Sequence, residues 1–343
     1  MSRDVMKYVR PNILAMTPYS TARDEYKGKA GIFLDANENP YENGVNRYPD
    51  PMQAALKEQL SAIKGVAVEN IFVGNGSDEA IDLCYRIFCE PRISNAVAIA
   101  PSYGMYRVAA ATNDVELREV QLNEDYSLPV ERLLAATDGE SRLMFLCSPN
   151  NPTGNIFPRE EVLELSERFD GILVVDEAYI DFADQPSLLN DLAAHPNLIV
   201  LQTLSKAWGM AGLRLGLAFA SAEVMELFAR VKYPYNINVT GMAAATDILA
   251  KGVDEQVAEI VAQRQRVMAE LSEAECVKRV FPSEANFVLA RVSDARRLYN
   301  ALIDEGVIVR DRSSVKGCDE CLRITIGTPE ENDKMLEIVK RFK

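Results

Sequence analysis

Short apolar segments alternate with amphipathic helical patterns between about residues 52 and 235. The apolar segments are residues 71–73, 96–100, 143–147, 172–175, 198–201 and 215–220. Between them, apolar residues recur at helical spacing, for example in residues 52–63, 78–88 and 159–169. Because short apolar strands between helices are typical of a sheet that is covered on both faces, this region is predicted to contain a largely parallel sheet.

The pattern changes after Pro234. A long polar helix is predicted from about residue 241 to 274, and helices are predicted at 294–305 and 329–342. Strand-like segments lie at 287–291, 307–310 and 322–326. At roughly 150 residues per domain, a chain of 343 residues suggests about two domains. We therefore predict an α/β protein with a large domain at 36–235, a smaller α+β domain at 236–343 and an N-terminal arm at 1–35 that joins the small domain.

The charge of the chain excludes some partners. It has 37 basic and 51 acidic residues, and its formal net charge is −14. Such a surface repels nucleic acids and anionic membranes, so neither is an expected partner. An anionic ligand must instead be held by local cations. The sequence has no apolar stretch of about 18 residues and no apolar segment typical of a secretory signal, so a cytoplasmic protein is expected.

Cysteine and histidine usage limits the chemistry further. The six cysteines are scattered, unlike a compact disulfide framework, and the spacing of Cys318 and Cys321 is attributed to chance rather than to a metal or redox site. His195 is the only histidine, so no site with several histidine ligands can form within one chain. Its place before a proline favours a solvated loop. We expect no bound metal.

Polar side chains follow five of the predicted strands. Ligands of open α/β sheets bind at the carboxyl ends of the parallel strands, so these side chains are expected to meet in one crevice. They are Ser77, Tyr103, Asn151, Asp176, Tyr179, Ser205 and Lys206.

These residue types suit pyridoxal phosphate (PLP), which needs a lysine for its aldehyde and a carboxylate opposite its ring nitrogen. Lys206 stands among small and apolar neighbours, where a desolvated amine has a lowered pKa and becomes nucleophilic. Asp176 ends an apolar strand and is expected to be buried, where a protonated pyridine would be its natural partner. The alternative for Asp176 is a cap at the end of the strand.

Other residues match the remaining groups of PLP. Asn151 and Tyr179 can bind the phenolic oxygen of the ring. Gly76 and Ser77 begin a helix and offer backbone N–H groups to a phosphate.

Ser205 and Arg214 can add charge-assisted bonds to the phosphate. Tyr103 can stack on the ring, although ordinary core packing is its alternative. Asp78 and Glu79 can complement the helix dipole, in which case their side chains turn away from the phosphate.

Eight segments between residues 34 and 328 resemble those of fold-type I PLP enzymes, in the same order along the chain. The segments are LDANENPY, NRYPDP, GNGSDEAID, PSYGMY, SPNNPTG, VVDEAYIDF, TLSKAWGMAGLRLG and CLRITIGT. SPNNPTG and the spacing from Lys206 to Arg214 are shared widely in that superfamily. The NRYP element and the N-terminal TPY resemble more narrowly the histidinol-phosphate aminotransferase family.

The resemblance implies a mostly parallel seven-stranded sheet and specific residue roles. Lys206 would bind the cofactor covalently and move a proton between the substrate Cα and C4′ of the cofactor. Asp176 would pair with the pyridine nitrogen, and Tyr48 would reach the phosphate from the other subunit of a homodimer with shared active sites. The cofactor-binding residues would be Gly76, Ser77, Asp78, Tyr103, Asn151, Asp176, Tyr179, Thr203, Ser205, Lys206, Arg214 and the partner subunit's Tyr48.

The same resemblance implies transamination between histidinol phosphate and 2-oxoglutarate. Arg323 would hold the anionic end of either substrate, with Arg310 as a possible second cation, because a guanidinium fork suits both phosphate and carboxylate. A solvated charge at a strand end is the alternative for Arg310. Tyr19, Asn37 and Tyr103 are candidates for contacts with the rest of the substrate.

Other functions stay open at this point. An aminotransferase for aromatic amino acids and a PLP-dependent lyase similar to threonine-phosphate decarboxylases have the same fold. A non-catalytic PLP-binding module is disfavoured because no DNA-binding segment is evident. A dehydrogenase is disfavoured because Glu79 stands where the third glycine of a dinucleotide-binding loop would lie.

Overall fold

A seven-stranded sheet forms the centre of the larger part of the chain. In the computed structural model, which describes residues 4–19 and 32–343, the strand order is β1-β7-β6-β5-β4-β2-β3. Strand β7 is antiparallel to both of its neighbours, and the other strand pairs are parallel. The strands are β1 (Ile71–Asn75), β2 (Asn95–Ala100), β3 (Glu116–Gln121), β4 (Ser141–Cys147), β5 (Ile172–Asp176), β6 (Leu198–Thr203) and β7 (Leu215–Phe219).

Helices cover both faces of this sheet. Alternate residues of the central strands point into two separate apolar clusters, as Val175 and Val174 of β5 do. This two-sided burial explains the continuous apolar segments in the sequence and confirms the predicted sheet type. The helices described up to residue 249 are α1 (Pro11–Ala15), α2 (Ala54–Lys64), α3 (Ser77–Phe88), α4 (Met105–Thr112), α5 (Val130–Ala135), α6 (Arg159–Arg168), α7 (Ala222–Val231) and α8 (Val239–Leu249).

A second, antiparallel sheet of order β10-β11-β9-β8 follows in the sequence. Its strands are β8 (Val277–Val280), β9 (Phe287–Val292), β10 (Arg310–Asp311) and β11 (Cys321–Thr325). Side chains of this sheet and of three helices form a third apolar cluster, which is the core of the C-terminal part. The helices are α9 (Asp254–Ser272), α10 (Ala295–Asp304) and α11 (Pro329–Arg341).

Four elements differ from the sequence-based prediction, and one of them is β8, a four-residue edge strand that was not predicted. Strand β3 was missed because its sequence, ELREVQ, is polar and lies at the edge of the sheet, where its side chains are at most half-buried. The long helix predicted from residue 241 to 274 is two helices, since Gly252 has a φ of 71° and interrupts the helical backbone. The strand predicted at 307–310 is reduced to the two residues of β10.

Residues 5–13 of the N-terminal arm pack against the large sheet, which differs from their predicted placement in the small domain. Val5, Tyr8 and Ile13 are buried in the apolar cluster that contains one face of α3. The backbone N–H of Arg10 also donates to the carbonyl of Ile87 at 3.0 Å. The predicted domain boundaries near residues 35 and 235 stay predictions.

Contacts of Arg264 and Tyr126 are among those that join the C-terminal part to the larger part of the chain. Arg264 of α9 is buried, and its guanidinium donates to the carbonyls of Phe182 and Ala285 at 3.0 and 3.1 Å. Tyr126 donates its hydroxyl to the carbonyl of Gly317 at 2.7 Å. Both contacts fix segments that carry residues lining the cavity described below.

Two further features concern the whole described chain. All six cysteines lie within the described ranges and are buried and unbridged. No helix among residues 4–19 and 32–343 has the length and apolar character that crossing a membrane requires.

Candidate active site

The carboxyl ends of the parallel strands open into a cavity of about 720 Å³. All seven side chains predicted to meet there line it, and so do six other predicted residues. Those six are Gly76, Asp78, Thr203, Arg214, Arg310 and Arg323. The rule that ligands bind at strand ends therefore located the cavity correctly from the sequence.

The turn between β1 and α3 forms a cradle for an anion. Gly76 has a φ of 76°, and α3 begins at Ser77 without a side-chain cap, so the first N–H groups of the helix point to the cavity. Arg214 folds over this turn, and a Cβ on Gly76 would lie 2.7 Å from its Nη2. A Cβ on Gly216 would lie 2.0 Å from the backbone nitrogen of Ser77. The two glycines thus allow the close backbone approach that shapes the cradle.

Thr203 organises the neighbouring turn that carries the lysine. Its hydroxyl accepts a hydrogen bond from the backbone N–H of Ser205 at 3.1 Å and donates to the carbonyl of Leu215 at 3.3 Å. These bonds tie the end of β6 to β7 and hold Ser205 and Lys206 at the edge of the cavity.

Lys206 lines the cavity and is exposed to it. Its Nζ lies 5.8 Å from the centre of the Tyr179 ring. Burial lowers the pKa of Lys206, and the nearby guanidinium of Arg323 lowers it further. A lowered pKa increases the fraction of neutral amine, which is the form that attacks an aldehyde.

Asp176 is a buried carboxylate with no cation in hydrogen-bond contact among the described residues. One of its oxygens accepts from the hydroxyl of Tyr106 at 3.0 Å, and the other accepts from the N–H of Ala178 at 3.1 Å. Burial raises the pKa of Asp176 to about 6, and these two donors limit the rise. A protonated ring nitrogen would supply the cation that this carboxylate lacks. Sequence reasoning missed Tyr106, because a buried aromatic residue on a helix is usually a core residue.

Asn151 connects two parts of the cavity. Its Nδ2 donates to the hydroxyl of Tyr179 at 3.4 Å, and its Oδ1 accepts from Nη1 of Arg323 at 2.5 Å. Asn151 and Tyr179 therefore lie together, as their shared role at the ring oxygen requires. The same amide fixes the arginine that was predicted to bind the substrate.

Three guanidiniums converge on the cavity. Arg310 and Arg323 are directly opposite each other in the ladder between β10 and β11, and Arg312 lies two residues beyond Arg310. Burial, followed by the nearby guanidiniums, lowers the pKa of Arg312. The Nε atoms of Arg312 and Arg323 are buried and have no hydrogen-bond partner among the described residues. Like charges opposite each other are unfavourable without an anion between them, so this end of the cavity is suited to a dianion or to two anionic groups.

Arg312 was missed in the sequence. The only available signal was its two-residue spacing from Arg310, which places both side chains on one face of a strand.

The Asp78 side chain was predicted to turn away from the phosphate cradle, and the structure shows that it faces the cavity. It lines the cavity, accepts a hydrogen bond from the hydroxyl of Tyr103 at 2.9 Å and lies 3.5 Å from Nη2 of Arg214. The carboxylate of Glu79 does turn away, toward Asn236 and the backbone of Asn75. Asp78 thus holds two side chains that were predicted to bind the cofactor.

Three predicted residues lie outside this cavity within their own chain. Tyr48 stacks on Tyr235 with ring centres 4.4 Å apart, and it lines a separate surface cavity together with Asn37. Tyr19 is 72% exposed. A role for these residues at the active site would need a second subunit.

The geometry as a whole fits PLP. A turn at a helix start with an arginine over it, a buried carboxylate and an amine of lowered pKa line the same cavity. The buried carboxylate of Asp176 has no cationic partner among the described residues, and this favours a cationic heterocycle over an anionic ligand.

Comparison with known proteins agrees with this chemistry. The family model described as aminotransferase class I and II matches residues 33–339. The chain is also 51% identical, over 343 residues and 99% of each protein, to the histidinol-phosphate aminotransferase of Parabacteroides distasonis. The chain belongs to the class I and II aminotransferases.

Solved structures extend the comparison of this aminotransferase to its fold. The histidinol-phosphate aminotransferase of Clostridium acetobutylicum matches with a TM-score of 0.79 and 27% identity, covering 86% of this chain and 90% of that chain. The enzyme of that name from Sinorhizobium meliloti, in complex with pyridoxal-5'-phosphate, matches with a TM-score of 0.77 and 27% identity, covering 86% and 82%. The aminotransferase therefore has the fold of fold-type I PLP enzymes and depends on PLP.

Replacing Gly216 by Ala should weaken the phosphate cradle. The new Cβ would force β7 and the turn at Ser77 apart, so the affinity of the apoprotein for PLP should fall about tenfold or more. Titration of the apoprotein with PLP and with pyridoxal, which lacks the phosphate, would measure this effect. Only the affinity for PLP should fall strongly. Gly212→Ala is the matched control, because a Cβ there meets nothing within 4 Å. Equal losses in both variants would contradict the close-approach argument.

Proposed function

We propose that this aminotransferase transfers an amino group between L-histidinol phosphate and 2-oxoglutarate, giving imidazole acetol phosphate and glutamate in histidine biosynthesis. The similarity to a histidinol-phosphate aminotransferase at 51% identity over nearly the whole chain supports this substrate pair. The six unbridged, buried cysteines are consistent with a reducing compartment, so we place the reaction in the cytoplasm.

One observation supports this substrate pair most directly. Lys206, an amine of lowered pKa, lines the same cavity as three guanidiniums. The two amino donors differ in their anions, since one has a phosphate and the other has carboxylates. A rigid pocket for one small anion would exclude the other substrate. Several guanidiniums that face a shared space can hold either anion through forked hydrogen bonds.

Bound PLP supplies an electron-withdrawing ring, and the side chains of the cavity do the rest. Lys206 would take the proton from the substrate Cα on its Nζ and would later release it, so that this amine serves as the proton carrier of the transfer. Asp176 keeps the ring nitrogen protonated, while Asn151 and Tyr179 bind the phenolic oxygen. Ser77, Ser205 and Arg214 hold the phosphate. Arg323, oriented by Asn151, holds the anionic end of the substrate, with Arg310 beside it.

A homodimer would complete the site. Large apolar side chains that line the second surface cavity are exposed, among them Val45 at 56%, Tyr48 at 50% and Val239 at 36%. Such a concentration of exposed apolar surface is typical of a protein interface. We propose that this surface pairs with a second copy, so that Tyr48 of the partner subunit reaches the phosphate and Asn37 and Tyr19 approach the substrate.

Lys206→Ala should stop the transamination of histidinol phosphate with 2-oxoglutarate, lowering the rate by at least about 100-fold, because the proton carrier is lost. Borohydride reduction of the native protein should link PLP to the peptide that contains Lys206, as measured by mass spectrometry. Lys278→Ala, on the exposed face of β8, should keep both the rate and the link. A native rate in the Lys206 variant would refute the assignment.

The same assay distinguishes the alternative functions. Native protein is offered histidinol phosphate beside phenylalanine and tyrosine, with 2-oxoglutarate as the acceptor. Faster turnover of the aromatic amino acids would make this an aromatic aminotransferase. Release of carbon dioxide from threonine phosphate would instead identify a lyase.

Arg323→Lys should weaken both substrates. A lysine replaces the planar fork by a point charge and loses the bond to Asn151, so KM for histidinol phosphate and for glutamate should each rise about tenfold. Steady-state kinetics with each substrate varied would show this rise. Arg279→Lys is the control, since that residue lies outside the cavity. An unchanged KM for both substrates would exclude Arg323 from binding.

Mixed dimers test the shared site. Lys206→Ala and Tyr48→Phe subunits with different tags are co-expressed, and the mixed species is purified. In a mixed dimer, one site contains both substitutions and the other contains neither, so about half of the native activity per dimer should return. Each variant alone should be impaired. A mixed dimer no more active than its parents would mean that Tyr48 serves its own subunit.

A further inference from the structure

Tyr106 makes a direct contact with the carboxylate at the floor of the cavity. It lies in the first turn of α4, its side chain is 1% exposed, and its hydroxyl donates to Oδ2 of Asp176 at 3.0 Å. The backbone N–H of Ala178 occupies the other oxygen at 3.1 Å. The hydroxyl of Tyr106 is therefore the one side-chain group that hydrogen-bonds Asp176 within the described residues.

Packing holds this hydroxyl in place. The Tyr106 ring stacks on Phe145, with ring centres 4.9 Å apart and planes inclined by 18°. Tyr85 stacks on the same phenylalanine at 5.3 Å, and its hydroxyl donates to the backbone carbonyl of Tyr106 at 3.0 Å. Both the ring and the backbone of Tyr106 are thus fixed, so the phenol keeps its direction toward Asp176 without help from a ligand.

The surroundings make this hydrogen bond strong. Besides Tyr106, the titratable groups near Asp176 are the buried thiol of Cys147 on the neighbouring strand, the carboxylate of Asp78, the amine of Lys206 and the phenols of Tyr103 and Tyr179. Burial raises the pKa of Tyr106 well above its ordinary value, so the phenol stays protonated and remains a donor. In so dry an environment, one donor changes the basicity of a carboxylate considerably.

We propose that Tyr106 is a positioning residue that controls where the proton lies between Asp176 and the ring nitrogen of bound PLP. This inference rests on the proposed pairing of Asp176 with that nitrogen. The phenol stabilises the carboxylate form, so the proton stays on the ring. Without the phenol, Asp176 becomes the stronger base and draws the proton toward Oδ2. The ring then loses positive charge and withdraws electrons less strongly.

The position of the proton can be measured without turnover. The native protein and the Tyr106→Phe variant are each loaded with PLP that carries nitrogen-15 in the ring, and the chemical shift of that nitrogen is recorded. The signal of Tyr106→Phe should move toward the value of an unprotonated pyridine. Tyr8→Phe is the matched control, because it removes a buried phenol of the same apolar cluster whose hydroxyl donates to Asp170 and contacts neither Asp176 nor Tyr106. Its signal should stay at the native position.

A second pair of measurements separates positioning from general damage. The affinity of the apoprotein for PLP should fall several-fold in Tyr106→Phe, while its affinity for the analogue with carbon in place of the ring nitrogen should be unchanged. The kcat of transamination should fall about tenfold with KM nearly constant, because binding of the anionic groups is not affected.

Each outcome decides the proposal. Equal effects of Tyr106→Phe and Tyr8→Phe on the nitrogen signal would overturn it. If Tyr106→Phe does not fold, 3-fluorotyrosine at position 106 keeps the size and the hydroxyl while strengthening the donor, and the signal should move to the more protonated side. No movement would overturn the proposal. A native signal in Asp176→Asn would instead refute the pairing of Asp176 with the ring, and with it the proposed site.

Discussion

A carboxylate buried at the end of β5 is the constraint around which the site is built. Asp176 is 2% exposed and has only neutral donors in hydrogen-bond contact within the described residues. Such a group is costly in free energy unless a cation completes it. The carboxylate is buried because helices cover both faces of the central strands, so the end of β5 is shielded from water. Binding of a protonated heterocycle recovers the cost, which favours one class of cofactor.

The interactions around this carboxylate form a continuous path across the cavity. Tyr106 donates a hydrogen bond to one oxygen of Asp176. The charges of Arg323 and Asp176 both act on Lys206, and Asn151 is hydrogen-bonded to both Tyr179 and Arg323. A movement of Arg323 at the substrate end is therefore transmitted to Tyr179 at the cofactor end through the side-chain amide of Asn151. Transamination needs this coupling, because the anion that is held at one end must place the Cα hydrogen over the amine at the other.

Most of the fold and of the cofactor site could be predicted from the sequence because the relevant signals are local. Five buried strands read as apolar segments, and each is followed directly by a polar residue that lines the cavity. Strand β3 could not be predicted, since an edge strand is half-solvated and its polar sequence resembles a loop. The break at Gly252 was missed because a single glycine inside a helical pattern is usually tolerated.

The residues missed in the site were missed for another reason. Tyr106 belongs by its spacing to the apolar face of α4, and only the three-dimensional structure shows that its hydroxyl meets a strand 70 residues later. Arg312 depends on a two-residue strand that has almost no sequence signal. Tyr48, Asn37 and Tyr19 lie outside the cavity of their own chain, and no reasoning on one subunit can assign them.

The facing guanidiniums of Arg310 and Arg323 have a practical consequence for work with the protein. The backbone ladder places the two residues opposite each other, so a small anion that binds both guanidiniums relieves their repulsion. Sulfate, phosphate and chloride in a buffer thus compete with both substrates for the same space. Affinities measured in different salts will differ for this enzyme even when the protein itself is unchanged, and the least coordinating buffer gives the value closest to the intrinsic one.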